Sequence, residues 1–398
     1  MKQPIEIAPG IFWVGAVDWN IRDFHGYSTE RGTTYNAYLL MDEKPVLIDT
    51  VKEPFAGEML ERVSQVIAPS KVSHIIANHG EMDHSGALPA LVNAVGPEKP
   101  VICSKMGAKS IAAHMAGLNL TPVADGGTLN IGRRTLSFLE TRMLHWPDSM
   151  FTYAPDERIL FSSDAFGQHY GGPERFDDEI GDAIMPFAKK YFANILLLYA
   201  PLIEKLIAKV TEMKLAVDMI CPDHGVMWRK EPGKIISAYA DWSAQKPANR
   251  AAVVYDTMWK STEKMAHALV ESLNGEGVAT RLLHLRANDR SDVMTEVFDS
   301  GIVALGSPTL NNGMFPTVAD FLCYMKGLKP KNKIGAAFGS YGWSGEAANL
   351  VHQELSGAGF EMSDPALRAL FVPNADATQA CYDLGKKLAD LLKQKMAS

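Results

Sequence analysis

Six consecutive residues, His79-Gly80-Glu81-Met82-Asp83-His84, carry four side chains able to ligate a metal ion. They follow the apolar run His74-Ile75-Ile76-Ala77 and precede a helix-like segment starting near Ser85. That order predicts a strand, a ligand-bearing loop and a helix. Three further candidates stand in equivalent places, each just beyond an apolar run. His145 lies in Leu144-His145-Trp146-Pro147-Asp148, beyond residues 136–139; Asp164 follows Ile159-Leu160-Phe161-Ser162-Ser163; His224 lies in Cys221-Pro222-Asp223-His224-Gly225, beyond residues 217–220. If the runs are neighbouring strands, their carboxyl ends converge on one sheet edge. A metal needs such convergence, because only several ligands together offset the water and rotamer freedom each gives up.

Four imidazoles and three carboxylates are too many for a single four-coordinate zinc but suit two ions that share a carboxylate. With no thiolate in the set and oxygen donors nearly matching nitrogen, iron or manganese is expected before zinc. The four cysteines, Cys103, Cys221, Cys323 and Cys381, form no C-x-x-C pair. No disulfide framework, thiolate zinc site or iron–sulfur cluster is therefore indicated.

A second kind of site is suggested further along. Tyr255-Asp256-Thr257-Met258-Trp259-Lys260-Ser261-Thr262 joins an apolar strand to a helix whose residues Met265, Ala266, Leu269, Val270 and Leu273 share one face. Hydroxyls and unpaired N–H groups at a helix start favour a phosphate, although Ser and Thr also serve there as ordinary caps. Two loops at later strand ends add Ser307, Pro308, Thr309, Leu310, Asn311 and Asn312, then Ser340, Tyr341, Gly342, Trp343 and Gly345. Backbone amides and Asn can bond the edge of a planar ring, and Tyr341 or Trp343 can stack on it.

The elements that must hold these groups fall into two regimes. Up to about residue 248 short strands and turns lead into alternating helices and strands, with a helical pattern over 58–67 and a long one over 191–213 that breaks or restarts at Pro201. The polar, proline-bearing Ala244-Gln245-Lys246-Pro247-Ala248-Asn249 separates this from a regular alternation of strands (251–255, 280–285, 302–306, 333–338, 367–372) with helices. Five strands with intervening helices predict a doubly wound parallel sheet, with its ligand crevice at the carboxyl ends. Domains are expected at 1–248 and 249–398, α/β and α+β in class.

The chain has 398 residues, 47% of them hydrophobic and 21% charged, enough apolar material for two packed cores. A net charge of -7 disfavours nucleic acid and anionic membrane as partners. The first residues lack the apolar core of a signal peptide, and the apolar run at 195–203 falls short of the roughly 20 residues a span needs. A soluble, cytoplasmic protein is the expectation.

The ligand order resembles the metallo-β-lactamase superfamily, whose zinc motif H-x-H-x-D-H has a histidine where this chain has Glu81. That replacement is similar to the flavodiiron proteins, and the second half resembles flavodoxin. The resemblance covers essentially the whole chain and implies a β-lactamase-like αββα sandwich followed by a flavodoxin-like five-stranded sheet. Carried over by motif, it implies one iron on His79, Glu81 and His145, a second on Asp83, His84 and His224, and Asp164 between them. It further implies FMN in the second half and reduction of dioxygen or nitric oxide. The electron donor would be external, rubredoxin or in some members a reduced deazaflavin, since no rubredoxin module is expected after Ser398. A head-to-tail homodimer, alone or as a dimer of dimers, is also implied. His25 is similar to a histidine lying behind the iron ligands in this family, and Tyr191 is a candidate to reach the same pocket, with core packing the plainer reading for it. The phosphate loop departs from the flavodoxin pattern T/S-x-T-G-x-T at Trp259 and Lys260, leaving Thr257, Ser261 and Thr262 as hydroxyl donors. The rival reading is a dinuclear zinc hydrolase with a flavodoxin-like appendage.

Overall fold

The computed structural model describes residues 3–397. They form two compact units: one of residues 3–24, 29–191 and 199–240, the other of residues 25–28, 192–198 and 241–397.

The first unit contains two facing sheets. In the seven-stranded sheet the order is Ile5–Ala8, Ile11–Trp13, Tyr38–Leu40, Val46–Ile48, His74–Ile76, Val101–Ser104 and Leu120–Val123. Its first four strands pair antiparallel and the last four run parallel, Val46–Ile48 belonging to both sets. The five-stranded sheet runs Thr128–Asn130, Thr135–Glu140, Met150–Ala154, Ile159–Phe161 and Met219–Cys221, the last pair parallel. The strands are short and apolar because the first sheet is buried on both faces. Val46, Ile48 and Ile76 meet Phe138, Met150 and Phe161 of the other sheet. Leu47, Ile75 and Val101 turn outward against Met59, Val63 and Leu91 of the helices Ala56–Val66 and Leu88–Val95. Each such side chain contributes ~1.5–3 kcal/mol by leaving water.

Two sequence expectations change here. The ligand-bearing runs are not neighbouring strands of one sheet: His74–Ile76 belongs to the seven-stranded sheet, the other three runs to the five-stranded one, where Met150–Ala154 separates Thr135–Glu140 from Ile159–Phe161. The donors meet where the ends of two packed sheets come together. The helix after the ligand loop also starts earlier than Ser85, with Met82–Ser85 forming a first short turn capped by Glu81.

The helical stretch Asp177–Glu212 is, by length and composition alone, apolar enough to cross a membrane. It is not one regular helix. A π turn at Phe192–Leu196 and a 3-10 turn at Leu197–Tyr199 divide Met185–Tyr191 from Ala200–Glu212, so the break precedes Pro201, which sits in the first turn of the restarted helix. Tyr191, Phe192, Leu196 and Leu197 are buried in the protein, as in a core helix.

The second unit holds a parallel sheet in the order Ala279–His284, Arg250–Tyr255, Ile302–Gly306, Ile334–Tyr341. The fifth position is filled by two short segments, Glu361–Met362 and Leu367–Leu370, both parallel to Ile334–Tyr341, giving six strands where five were expected. The helices Ser261–Gly275 and Ala375–Ala397 place Leu269, Leu273, Leu388 and Leu392 against Val253, Ala304 and Ala336. The chain reverses its winding direction between Arg250–Tyr255 and Ile302–Gly306, and the crevice of such a sheet opens there.

Candidate metal centre and ligand crevice

Seven donors converge at the sheet ends of the first unit. His79 is the third residue after His74–Ile76, Glu81 occupies the N-cap position of the turn that carries Asp83 and His84, and His145, Asp164 and His224 leave the ends of the other sheet. They form two groups of donor atoms: His79, Glu81, His145 and Asp164, and Asp83, His84 and His224, each within 4.8 Å internally. In the first group the Nε2 atoms of His79 and His145 lie 3.3 and 3.1 Å from Glu81 Oε2. They also lie 3.3 and 3.1 Å from Asp164 Oδ2. In the second, the Nε2 atoms of His84 and His224 lie 3.3 and 3.1 Å from Asp83 Oδ2, and 3.2 and 3.5 Å from Asp164 Oδ1. Asp164 thus turns one oxygen to each group.

The donor set fits a pair of cations. Asp83 Oδ1, His84 Nε2 and Asp164 Oδ2 are buried and have no hydrogen-bond partner among the described residues, a costly arrangement that a metal would relieve. The titration balance agrees. Burial opposes charge on His79, yet hydrogen bonds to Asp148 and Glu81 and the charge of Asp164 push its pKa up to about 10. Burial is likewise overcome at His84, which is raised well above the usual range by Asp83 and Asp164. It is overcome at Asp164 too, held well below the carboxylate range by His84 and His145. Without a cation, protons on the imidazoles balance the carboxylates; a metal would displace them.

Tyr191 is buried and donates its hydroxyl to Asp164 Oδ1 at 2.9 Å, so this residue is both core and pocket. His25 is exposed beside the strand Asp23–Phe24. The buried histidine near the cluster is His169, which sequence reasoning did not select. Its ring lies 4.7 Å from that of His224 and 5.1 Å from that of Tyr191, with Thr33 Oγ1 2.9 Å from its Nδ1. The groups that shape the His224 loop were missed as well. Asn36 donates to the carbonyls of Pro222 and Gly225 at 2.8 and 3.0 Å, and the Thr34 carbonyl lies 2.7 Å from His224 Nδ1. Their only signal was polar residues inside an apolar strand run, a pattern without a unique reading.

In the second unit a crevice of about 740 Å3 opens at the strand ends. Of the expected residues, Met258, Trp259, Ser261, Pro308, Thr309, Asn311, Asn312, Ser340, Tyr341, Gly342 and Trp343 line it. Ser344, Phe371 and Val372 line it too, and no polar motif announced the last two. The remaining expected residues are not in the lining. Thr257 is buried with an unpartnered Oγ1; Thr262 Oγ1 lies 2.9 Å from Ser340 Oγ; Ser307 accepts from the Phe315 N–H; Leu310 pairs with Gly313. Lys260 and Gly345 cap the helices Ser261–Gly275 and Glu346–Gly357 in the left-handed conformation, which glycine adopts freely and lysine at some cost. Unpaired N–H groups at the start of Ser261–Gly275 suit a phosphate, and Trp259 and Trp343, 89% and 87% exposed, suit a stacking ring.

A two-metal pocket in a β-lactamase-like domain, followed by a flavodoxin-like domain, defines the class. A profile of the ODP family of β-lactamases matches residues 33–225, and a flavodoxin profile matches 253–385. The chain is 46% identical over 395 residues to a nitric oxide reductase of Moorella thermoacetica, covering 98% of this chain and 99% of the relative. The solved rubredoxin oxygen:oxidoreductase of Desulfovibrio gigas superposes with a TM-score of 0.98 at 43% identity, covering 100% of both chains. The flavodiiron protein of Giardia intestinalis does so with a TM-score of 0.95 at 37% identity, covering 99% of this chain and 98% of that one. This chain belongs to the flavodiiron protein family.

Proposed function

We propose that the protein is an oxidoreductase that reduces dioxygen to water, nitric oxide to nitrous oxide, or both, at a non-haem di-iron centre, with FMN relaying electrons from an external donor. The observation that carries this reading is the pair of donor groups joined by Asp164, with Glu81 replacing a zinc-type histidine, in a chain that also holds a flavin-sized crevice. His79, Glu81 and His145 would hold one iron, Asp83, His84 and His224 the other, and Asp164 both. When bound, two ferrous ions and a fully reduced FMN together supply the four electrons that dioxygen reduction takes, and nitric oxide reduction takes two of them.

The protein's own part is positioning and exclusion. Tyr191 holds Asp164 by its hydroxyl, and the burial of His79, His84, Asp164 and His224 keeps bulk water off the ligand atoms. In the crevice Trp259, Tyr341 and Trp343 offer stacking faces and Ser261 a hydroxyl, while Thr257, outside the lining, keeps a buried unpartnered hydroxyl that a phosphate at the helix start would engage.

The donor is proposed to be a small redox protein such as rubredoxin. The exposed apolar rim of Trp259, Trp343, Phe371 and Val372 supports a head-to-tail homodimer, because an apolar patch of this kind is commonly an interface. A monomer with full activity in analytical ultracentrifugation refutes that assembly. Four unpaired cysteines support a reducing compartment, the cytoplasm.

Metal-quantified protein, reduced anaerobically and assayed in parallel with oxygen and nitric oxide electrodes, tests the function and reads which substrate is faster. Stoichiometric zinc without flavin absorbance would restore the hydrolase reading.

A further inference from the structure

The imidazoles of His79 and His84 face the metal pocket alike, but the groups behind them differ. His79 Nδ1 lies 3.3 Å from Asp148 Oδ2. The same oxygen accepts the Gly80 N–H at 2.6 Å, and the Asp148 carbonyl accepts from Ser104 Oγ at 2.7 Å. The Asp148 side chain is wholly buried. Behind His84, by contrast, Asp223 Oδ2 stands 3.7 Å from Nδ1, too far for a hydrogen bond, and has no hydrogen-bond partner among the described residues. Behind His224 stands the uncharged Thr34 carbonyl, 2.7 Å from Nδ1.

A carboxylate that accepts a ring N–H fixes the tautomer and makes the opposite nitrogen a stronger donor. For His79, the Nδ1–H bonded to Asp148 leaves the Nε2 lone pair aimed at the space between Glu81 and Asp164. Each donor group already shares Asp164 and has one carboxylate of its own, Glu81 or Asp83. Asp148 therefore adds negative charge behind one group with no hydrogen-bonded equivalent behind the other.

We propose that Asp148 is a positioning residue that fixes His79 and makes the His79–Glu81–His145 position the one that better stabilises ferric iron, so that the two irons differ in potential. This inference rests on the di-iron reading and names which side of the centre is the more easily oxidised.

The test uses full-length, FMN-loaded protein as wild type, Asp148→Asn and Asp223→Asn. Asn keeps the shape and removes the charge. Iron stoichiometry and affinity are measured in competition with a chelator, and the two iron potentials by anaerobic titration followed by electron paramagnetic resonance. Asp148→Asn is expected to weaken one of the two irons by ~10–100-fold and to narrow the gap between the potentials by raising the lower one. Asp223→Asn should change both quantities less. Unchanged affinities and potentials in Asp148→Asn, or an equal effect of Asp223→Asn, overturn the inference with the di-iron reading intact. A wild type that binds no iron pair overturns both. Flavin content and circular dichroism report folding, and if Asp148→Asn fails to fold, Gly80→Ala perturbs the same oxygen with its charge retained and should lower the same affinity.

Discussion

Replacing Gly80 by alanine is the sharpest probe of how the metal loop is built. A Cβ at position 80 would lie 2.8 Å from Asp148 Oδ2, 3.3 Å from Ser110 Cβ and 3.4 Å from Ile111 Cγ1. The oxygen is not a loose side-chain end, because His79 Nδ1 and the Gly80 N–H both hold it. Relief therefore means moving the carboxylate off one of them, or moving the helix Lys105–His114 that carries Ser110 and Ile111. Overpacking of this kind costs ~1–3 kcal/mol, and stranding a buried N–H costs a similar amount, so a total of about 2–6 kcal/mol is expected. Gly57 is the control: it is exposed in the helix Ala56–Val66 with nothing within 4 Å of its Cβ position. Alanine there should stabilise by ~0.5–1 kcal/mol. Denaturant unfolding of the metal-free protein, followed by circular dichroism with flavin release as a separate probe of the second unit, gives both numbers. Gly80→Ala as stable as Gly57→Ala would refute the packing argument.

Thr257→Val should move stability and binding in opposite directions. The flavin-free protein gains, because a buried unpartnered hydroxyl is replaced by a methyl group, while FMN affinity measured by fluorescence quenching falls ~5–10-fold with the lost phosphate contact. Lys333 sets a pH dependence. Burial lowers its pKa to about 7 against an opposing pull from Asp299, so between about 7 and its usual value near 10.5 the unfolded chain binds more protons than the folded one. Stability should rise with pH across that window, and thermal melts of Lys333→Met from pH 7 to 9 should lose that slope. Because the Lys333 ammonium also holds the carbonyls of Phe298 and Ser300, both at 2.6 Å, the slope and not the absolute stability is the diagnostic quantity.

The reach of sequence reasoning followed the rarity of the signal. Imidazoles and carboxylates at four strand ends are seldom placed together without a use, so all seven donors could be named before any coordinates. The regular alternation of the second half announced a parallel sheet, since parallel strands need crossovers of helical length. Legibility failed where a residue type has many uses. His169 is a single histidine between Gln168 and Tyr170, and only its burial beside His224 marks it. Phe371 and Val372 read as the end of an apolar strand, yet that strand stops at Leu370 and they line the crevice. Asp148 and Asp223 were visible beside His145 and His224, but nothing in their spacing says that one reaches another histidine and the other stops short.

Residue types and their order thus determined the chemistry: nitrogen and oxygen donors without thiolate, a glutamate in a zinc-type motif, and hydroxyls at a helix start after a strand. These are local properties, set by which groups the chain offers and how far apart along it they stand. Pairing across space was beyond them. That the ligand runs belong to two sheets, that Asp164 divides its oxygens between two donor groups and that Asp148 backs His79 all depend on contacts between distant segments. Burial in a packed core enforces such contacts, and no periodicity in the chain encodes them.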